Sequence, residues 1–407
     1  MLLVNDLNHP LLPESDKFNQ PDVRYIIPAA AAFMLTFNRG GLLPIEGVYT
    51  LLDQAINIFV LVVAPLVFVK DIFPRILNRN FNHAIPIITL FCWVSCVVFL
   101  GSPREYWPPL TAAVTIALSI LICFQISPPE IRQVRHCVLF ITVIFCIYTL
   151  IYGRTTLTLL FSGSVNVRIG EEFEAGNLIA YPRIMYMLVI TCLVSLLIEK
   201  RKWVKIGATV IMVLPILIAF GTGGRGALFG FVVSMLIFLL GIKKNKKFFT
   251  AGIVIVIMFI IGYVVIEKMF PLMAWRIFDL ENTDRTDVWK TLLNIDNFSL
   301  FGQGVSEYYP HNIFIEFAIN YGVVGLSLFL WLLSMSFIVA WQYYRKTHDI
   351  EVLWVICLLV LQVTAQQFSL DIFTGTLWAT IALALGLSNN AEDCGTFDYK
   401  LIQGHDT

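Results

Sequence analysis

The chain has 407 residues, 58% of them hydrophobic and 14% charged, with 28 basic residues set against 28 acidic ones. That is more apolar surface than a soluble core of this length can bury, so the composition excludes an ordinary soluble enzyme and makes a bilayer the expected solvent. The zero net charge names no partner, no nucleic acid is expected, and the eight cysteines show neither the spacing of a metal site nor a disulfide framework.

Asn5, Asp6, Glu14, Asp16 and Lys17 make the N-terminal segment polar, without the basic-then-apolar order of a cleavable signal. The N-terminus is therefore expected to stay in the cytoplasm. Apolar stretches able to cross ~30 Å of hydrocarbon fall at roughly 24–38, 48–69, 83–101, 108–126, 136–152, 179–198, 204–220, 226–242, 248–266, 313–342, 352–370 and 373–388. They predict an all-α fold: a polytopic integral membrane protein of about twelve transmembrane helices, forming a single transmembrane domain over residues 1–407.

Basic residues follow every even-numbered span: Lys70, Arg75 and Arg79; Arg132 and Arg135; Lys200, Arg201 and Lys202; Lys243, Lys244, Lys246 and Lys247; Arg345 and Lys346. Positive-inside bias makes that side, and both termini, cytoplasmic. The opposite face carries two long loops, roughly 153–178 and 267–311, and loops of such length are often functional. Neither an internal repeat nor paired interrupted helices stand out, which weighs against a secondary transporter.

Candidate chemistry gathers on that outer face. The first long loop holds Arg154 and Arg168, with Arg183 just beyond it, around Gly170-Glu171-Glu172. Gly221-Thr222-Gly223-Gly224-Arg225-Gly226-Ala227-Leu228 forms a tight turn between two apolar spans. Its backbone N–H groups, the following helix N-terminus and the planar fork of Arg225 suit a pyrophosphate; an arginine reaching to lipid headgroups is the structural alternative. The second long loop contributes Arg276 and Arg285, the latter within Asp284-Arg285-Thr286-Asp287-Val288-Trp289. Loop arginines beside carboxylates also form plain exposed ion pairs. Trp275, Trp289, Tyr308 and Tyr309 suit either sugar stacking or an interfacial aromatic belt.

His311 is the one histidine expected on the outer face, and it opens His311-Asn312, followed by Gly322 and Gly325. Imidazole accepts a proton from a hydroxyl near neutral pH. On a continuous helix His311, Gly322 and Gly325 share one azimuth, and the glycines leave a groove beneath the ring. The alternative is that Asn312 caps the helix, the glycines are packing sites and His311 is an interfacial bystander. No Walker loop, His-Glu-x-x-His pair, Gly-x-Ser-x-Gly elbow or outer Asp pair is present. A reaction run by arginines and one histidine, without metal or cofactor, is what remains.

His311-Asn312, nine residues, then Gly322-Val323-Val324-Gly325 resembles the His-Asn-x9-Gly-x-x-Gly signature of the O-antigen ligase and polymerase superfamily. Gly224-Arg225-Gly226-Ala227-Leu228 is similar to that family's Ser-Arg-Gly-Ala-Leu turn, with Gly224 in place of serine; Arg285 to Trp289 and Phe301-Gly302-Gln303-Gly304 resemble the loop before the signature. The resemblance implies a lipid-linked sugar glycosyltransferase of the bacterial inner membrane, acting at the periplasmic face on an undecaprenyl-pyrophosphate-linked oligosaccharide. It implies that His311 deprotonates or orients the acceptor hydroxyl and that Arg225, Arg285 and Arg168 neutralise the pyrophosphate, with Arg154, Arg276, Asn312 and Gly322 as further substrate-binding candidates. Membrane lipids surround it, and a chain-length regulator protein is a candidate partner. Polymerase is the favoured member, because the His311-Asn312-Ile313-Phe314-Ile315-Glu316 context and the Gly-rich Arg225 turn resemble polymerases. The alternatives are a ligase transferring glycan to lipid A-core, and a carrier or flippase using Asp53 or Asp371.

Overall fold

A computed structural model describes residues 26–36, 84–102, 110–152, 180–221, 224–242, 264, 298–305, 312–367 and 375–387. Among these there are eleven α-helices and no strand. We number them α1 Ile26–Thr36, α2 Ile85–Gly101, α3 Leu110–Phe124, α4 Pro128–Tyr152, α5 Ala180–Ile198, α6 Lys202–Gly221, α7 Arg225–Ile242, α8 Ile313–Asn320, α9 Gly322–Thr347, α10 Ile350–Ala365 and α11 Gly375–Gly386. The described part of the chain is all-α, as expected. Gly322–Thr347 is long and apolar enough to cross a membrane, and several shorter apolar helices accompany it, which is consistent with a membrane protein.

α10 is the hub. It packs against α4, α5, α7, α9 and α11, and Val352 to Leu359 are all buried. Asp349 starts it by accepting the Glu351 N–H at 2.9 Å, a cap that satisfies one of the donors left open at a helix N-terminus. Single polar bonds fix its neighbours in register. Trp354 Nε1 donates to Thr191 Oγ1 on α5 at 3.0 Å, and Ser234 Oγ on α7 donates to the Cys357 carbonyl at 2.9 Å. Small residues admit the close approach: a Cβ on Gly230 of α7 meets the Leu361 carbonyl oxygen at 2.9 Å.

The outward faces are apolar. On α7, Phe229, Val232, Leu236 and Leu240 are exposed while Ala227, Phe231, Met235 and Phe238 are buried; on α6, Trp203, Ile206, Val210 and Val213 face outward. Two apolar stripes on one helix suit a surround of lipid rather than water.

Three expectations need correction. Arg132 and Arg135 do not lie in a loop, because α4 begins at Pro128. The reason is a capping box: the Glu130 carboxylate accepts the Ser127 N–H at 2.8 Å and its hydroxyl at 2.6 Å, with proline at the first helical position. The predicted span over 313–342 is two helices, α8 and α9, separated at Tyr321. That break also overturns the common azimuth of His311, Gly322 and Gly325, since the helix does not run through. The long loops at 153–178 and 267–311 lie outside the described residues, except for 298–305.

Candidate functional site

The antiparallel packing of α7 on α10 brings the first turns of α7 beside the end of α10, with Gly230 against Leu361 and Ala365. The Ile313 N–H of α8 donates to the Gln366 carbonyl at 3.2 Å, so α8 also starts at that end of α10. The Gly224-Arg225 turn and Asn312, separated by nearly ninety positions in the sequence, thus share one end of the bundle. Every described lysine and arginine except Arg183 and Arg225 lies at the opposite end, where α4, α6 and α10 begin and α5 and α9 finish.

Arg225 opens α7 directly after the turn. The turn is seated on α5, because the position a Cβ would take at Gly224 lies 2.3 Å from Pro182 Cγ. A serine at 224 does not fit against that ring, which gives a physical reason for glycine here. The next residue, Arg183, is fully buried with 0% exposure. Sequence reading had only grouped it loosely with the loop arginines; the signal that places it is Pro182 at the start of an apolar span, next to the Gly-rich turn.

Asn312 caps α8. Its Oδ1 accepts the N–H groups of Phe314 and Ile315 at 3.0 and 3.2 Å, and Glu316 in the first turn is buried. Gly322 takes φ +74° at the break after α8, a left-handed conformation that glycine adopts without penalty. Its Cβ direction is filled by backbone: Gly302 N at 2.3 Å and the Leu300 carbonyl at 2.5 Å. No groove is left there for the ring of His311. Residues 298–305 instead lace the break, with Gln303 N donating to Ile319 O and Gly304 N to Asn320 O, each at 3.0 Å. Trp93 Nε1 on α2 donates to the Tyr321 carbonyl at 3.0 Å, and Val305 N to Ser102 Oγ at 2.7 Å. Phe317 stacks on Phe329 with centroids 4.2 Å apart, which fixes the two halves across the break.

His311, Arg285, Arg168, Arg154 and Arg276 lie outside the described residues, as do Trp275, Trp289, Tyr308, Tyr309, Asp53 and Asp371. The structure therefore brings together Arg183, the Gly224-Arg225 turn, Asn312 and Gln366, and moves Gly322 from a predicted groove into a backbone junction.

The opposite end holds a closed ion cluster. Arg135, with 0% exposure, donates through Nε and Nη2 to the two oxygens of Glu351 at 2.8 and 3.0 Å, through Nη1 to Ser195 Oγ and through Nη2 to Glu199 at 3.1 Å. Glu199 also meets His136 Nε2 at 2.8 Å and Arg132 at 3.4 Å. Burial pushes the Glu199 carboxyl upward, but hydrogen bonds from His136 and Arg135, with the charges of His136 and Arg132, outweigh it and hold the group at about 2. This end has the geometry of a clamp joining α4, α5 and α10.

Residues 210–330 match the family model described as O-antigen ligase. No individual curated protein matches the chain. The matched stretch starts within α6, includes the Gly224-Arg225 turn, Arg285 and His311-Asn312, and ends within α9. The match supports the O-antigen ligase and polymerase superfamily, whose members are glycosyltransferase-like enzymes, and it does not separate the two activities.

Proposed function

We propose that the protein is an O-antigen polymerase, moving a growing glycan from undecaprenyl pyrophosphate onto the next lipid-linked repeat unit at the periplasmic face of the bacterial inner membrane. In this reading about twelve helices span the membrane, both termini are cytoplasmic, and the end carrying the Gly224-Arg225 turn and Asn312 faces the periplasm. The observation that carries the reading is that the family match contains Arg225, Arg285 and His311 in one stretch, while the turn before α7 and the N-terminus of α8 meet at one end of α10.

The chemistry follows from charge. The acceptor hydroxyl oxygen attacks the anomeric carbon of the donor, its proton passes to the imidazole of His311, and the bond from that carbon to the pyrophosphate oxygen breaks. The leaving group carries away the electron pair as polyprenyl pyrophosphate. Arg225, Arg285 and Arg168 compensate its charge, and Arg183, buried and next in sequence to the Pro182 that meets Gly224, is a further candidate for that role. In a site of low dielectric such compensation is worth far more than in water, so no covalent protein nucleophile, metal or cofactor is required. Arg154 and Arg276 widen the cationic surround, and a chain-length regulator is a candidate partner.

A second reading, ligation of finished glycan to lipid A-core, is favoured by the description of the matched family. One experiment separates them: a lipopolysaccharide gel from the native host lacking this protein, complemented with wild type, His311→Ala or Arg225→Ala. Core bearing a single repeat unit, with the ladder restored by wild type alone, is the polymerase result. Bare core with lipid-linked polymer accumulating in the membrane is the ligase result. A ladder restored by His311→Ala but lost with Asp53→Asn sinks both and favours a carrier. Arg225→Lys is also expected to be poor, because an ammonium cannot make bidentate contact with a diphosphate.

A further inference from the structure

Gln366 is the residue at which α10 meets α8, its peptide carbonyl accepting the Ile313 N–H at 3.2 Å. That sets its backbone against the residue that directly follows Asn312. Its side chain has 0% exposure, and among the described residues neither Oε1 nor Nε2 has a hydrogen-bond partner. The neighbouring glutamines are different. Gln367 Nε2 donates to the Val363 carbonyl at 2.8 Å, and Gln362 Oε1 accepts from Thr376 Oγ1 on α11 at 3.5 Å. Gln362 and Gln366 stand four residues apart, hence on one face of α10, and Gln366 is the one nearer the end where α8 and the Arg225 turn meet.

A buried carboxamide deprived of both water and protein partners destabilises the fold, where an apolar side chain of the same length does not. It is the only glutamine of the three at this helix end in that state. A carboxamide presents a donor and an acceptor side by side, which matches two neighbouring hydroxyls of a sugar, and being uncharged it does not compete with arginines for a diphosphate.

We propose that Gln366 is a substrate-binding residue whose carboxamide donates to one hydroxyl and accepts from another on the sugar brought to the Asn312 end of the bundle. This rests on the transferase reading above and adds to it a group that recognises sugar rather than phosphate.

The test uses the full chain purified in detergent, with two probes: undecaprenyl pyrophosphate alone, and the lipid-linked repeat unit extracted from the native host. Wild type and Gln366→Met are compared for melting temperature and for affinity. Gln366→Met is expected to melt at or above the wild-type temperature and to bind undecaprenyl pyrophosphate as wild type does. It should lose the extra affinity that the sugar-bearing lipid gives to wild type, by about tenfold, which corresponds to about 1.4 kcal/mol. Retention of the full sugar-dependent affinity by Gln366→Met overturns the assignment of Gln366 and leaves the transferase reading intact. If neither lipid binds wild type, the transferase reading falls and this inference falls with it. Should the methionine variant fail to fold, Gln366→Ser makes the same comparison, with the same loss expected.

Discussion

At the end of the bundle where α4 and α10 begin, Arg135 reaches two carboxylates and a hydroxyl, and Glu199 is held in turn by His136 and Arg132. At the other end, where α7 and α8 begin, Gln366 is as deeply buried and its carboxamide has no partner among the described residues. Buried polar groups cost free energy in both places. The first end meets that cost within the protein and has the character of a structural clamp; at the second, the Gln366 carboxamide is left unmatched among the described residues, in keeping with the substrate contact proposed for it.

The strongest way to break this contrast is to remove Arg135. Arg135→Ala strands Glu351 and weakens the hold on Glu199 inside the bundle, and breaking a buried pair from one side costs about 3–5 kcal/mol. Most folded protein should be lost, read as yield and melting temperature in detergent. Replacing both members, Arg135→Met with Glu351→Leu, should recover a large part of that loss because no unpaired charge remains at either position. If the double variant is as poor as the single one, the cluster does more than neutralise itself and the clamp description fails.

Next comes the seat of the outer turn. Gly224→Ser puts a Cβ 2.3 Å from Pro182 Cγ, and a proline ring in a helix's first turn can give way only by repuckering or by moving the helix. Overpacking of this kind costs about 1–3 kcal/mol, and here it also shifts Arg225 relative to Arg183. Product formation should fall more than folded yield. Pro182→Ala in the same chain removes Cγ and leaves Cβ at 2.8 Å, so it should restore part of both, and a double-mutant cycle measures the coupling. Additive effects of the two substitutions would mean that the turn is not seated on α5.

Much of this was legible in the sequence, and the misses have identifiable causes. The apolar stretches near 85–101, 180–198, 225–242 and 350–365 appear as helices because a run of that length with at most one charge has few other ways to satisfy its backbone in a bilayer. The start of α4 was missed because hydropathy was read in place of the Ser127-Pro128-Pro129-Glu130 cap, which is a local hydrogen-bonding signal and survives a polar first turn. Gly322 was read as groove because its spacing from His311 fits whole helical turns; its φ of +74° depends on Leu300 to Gly304 arriving from elsewhere, which no local periodicity reports. Arg183 and Gln366 carry no motif at all. Their interest comes from burial and from which helix ends meet, and both are tertiary facts.

The smallest effect sharpens the comparison through pH. Glu199 has its carboxyl held at about 2 against an ordinary 4.5, so the folded state favours the ionised form. For a group depressed in this way the stabilisation is fully present above its unfolded value and is lost as pH falls through the folded one. The melting temperature in detergent should therefore be insensitive to Glu199 across roughly pH 5–8 and decline below about 4.5, toward 2. Glu199→Gln should lower it at neutral pH and flatten the acid limb; an unchanged acid slope would remove Glu199 as its source. Transfer activity, by contrast, depends in the proposed mechanism on the imidazole of His311 and not on Glu199. Glu199→Gln should therefore change the acid limb of stability and leave the pH profile of transfer activity in place. A substitution at Glu199 that shifted both profiles together would mean that the two ends are not chemically separate.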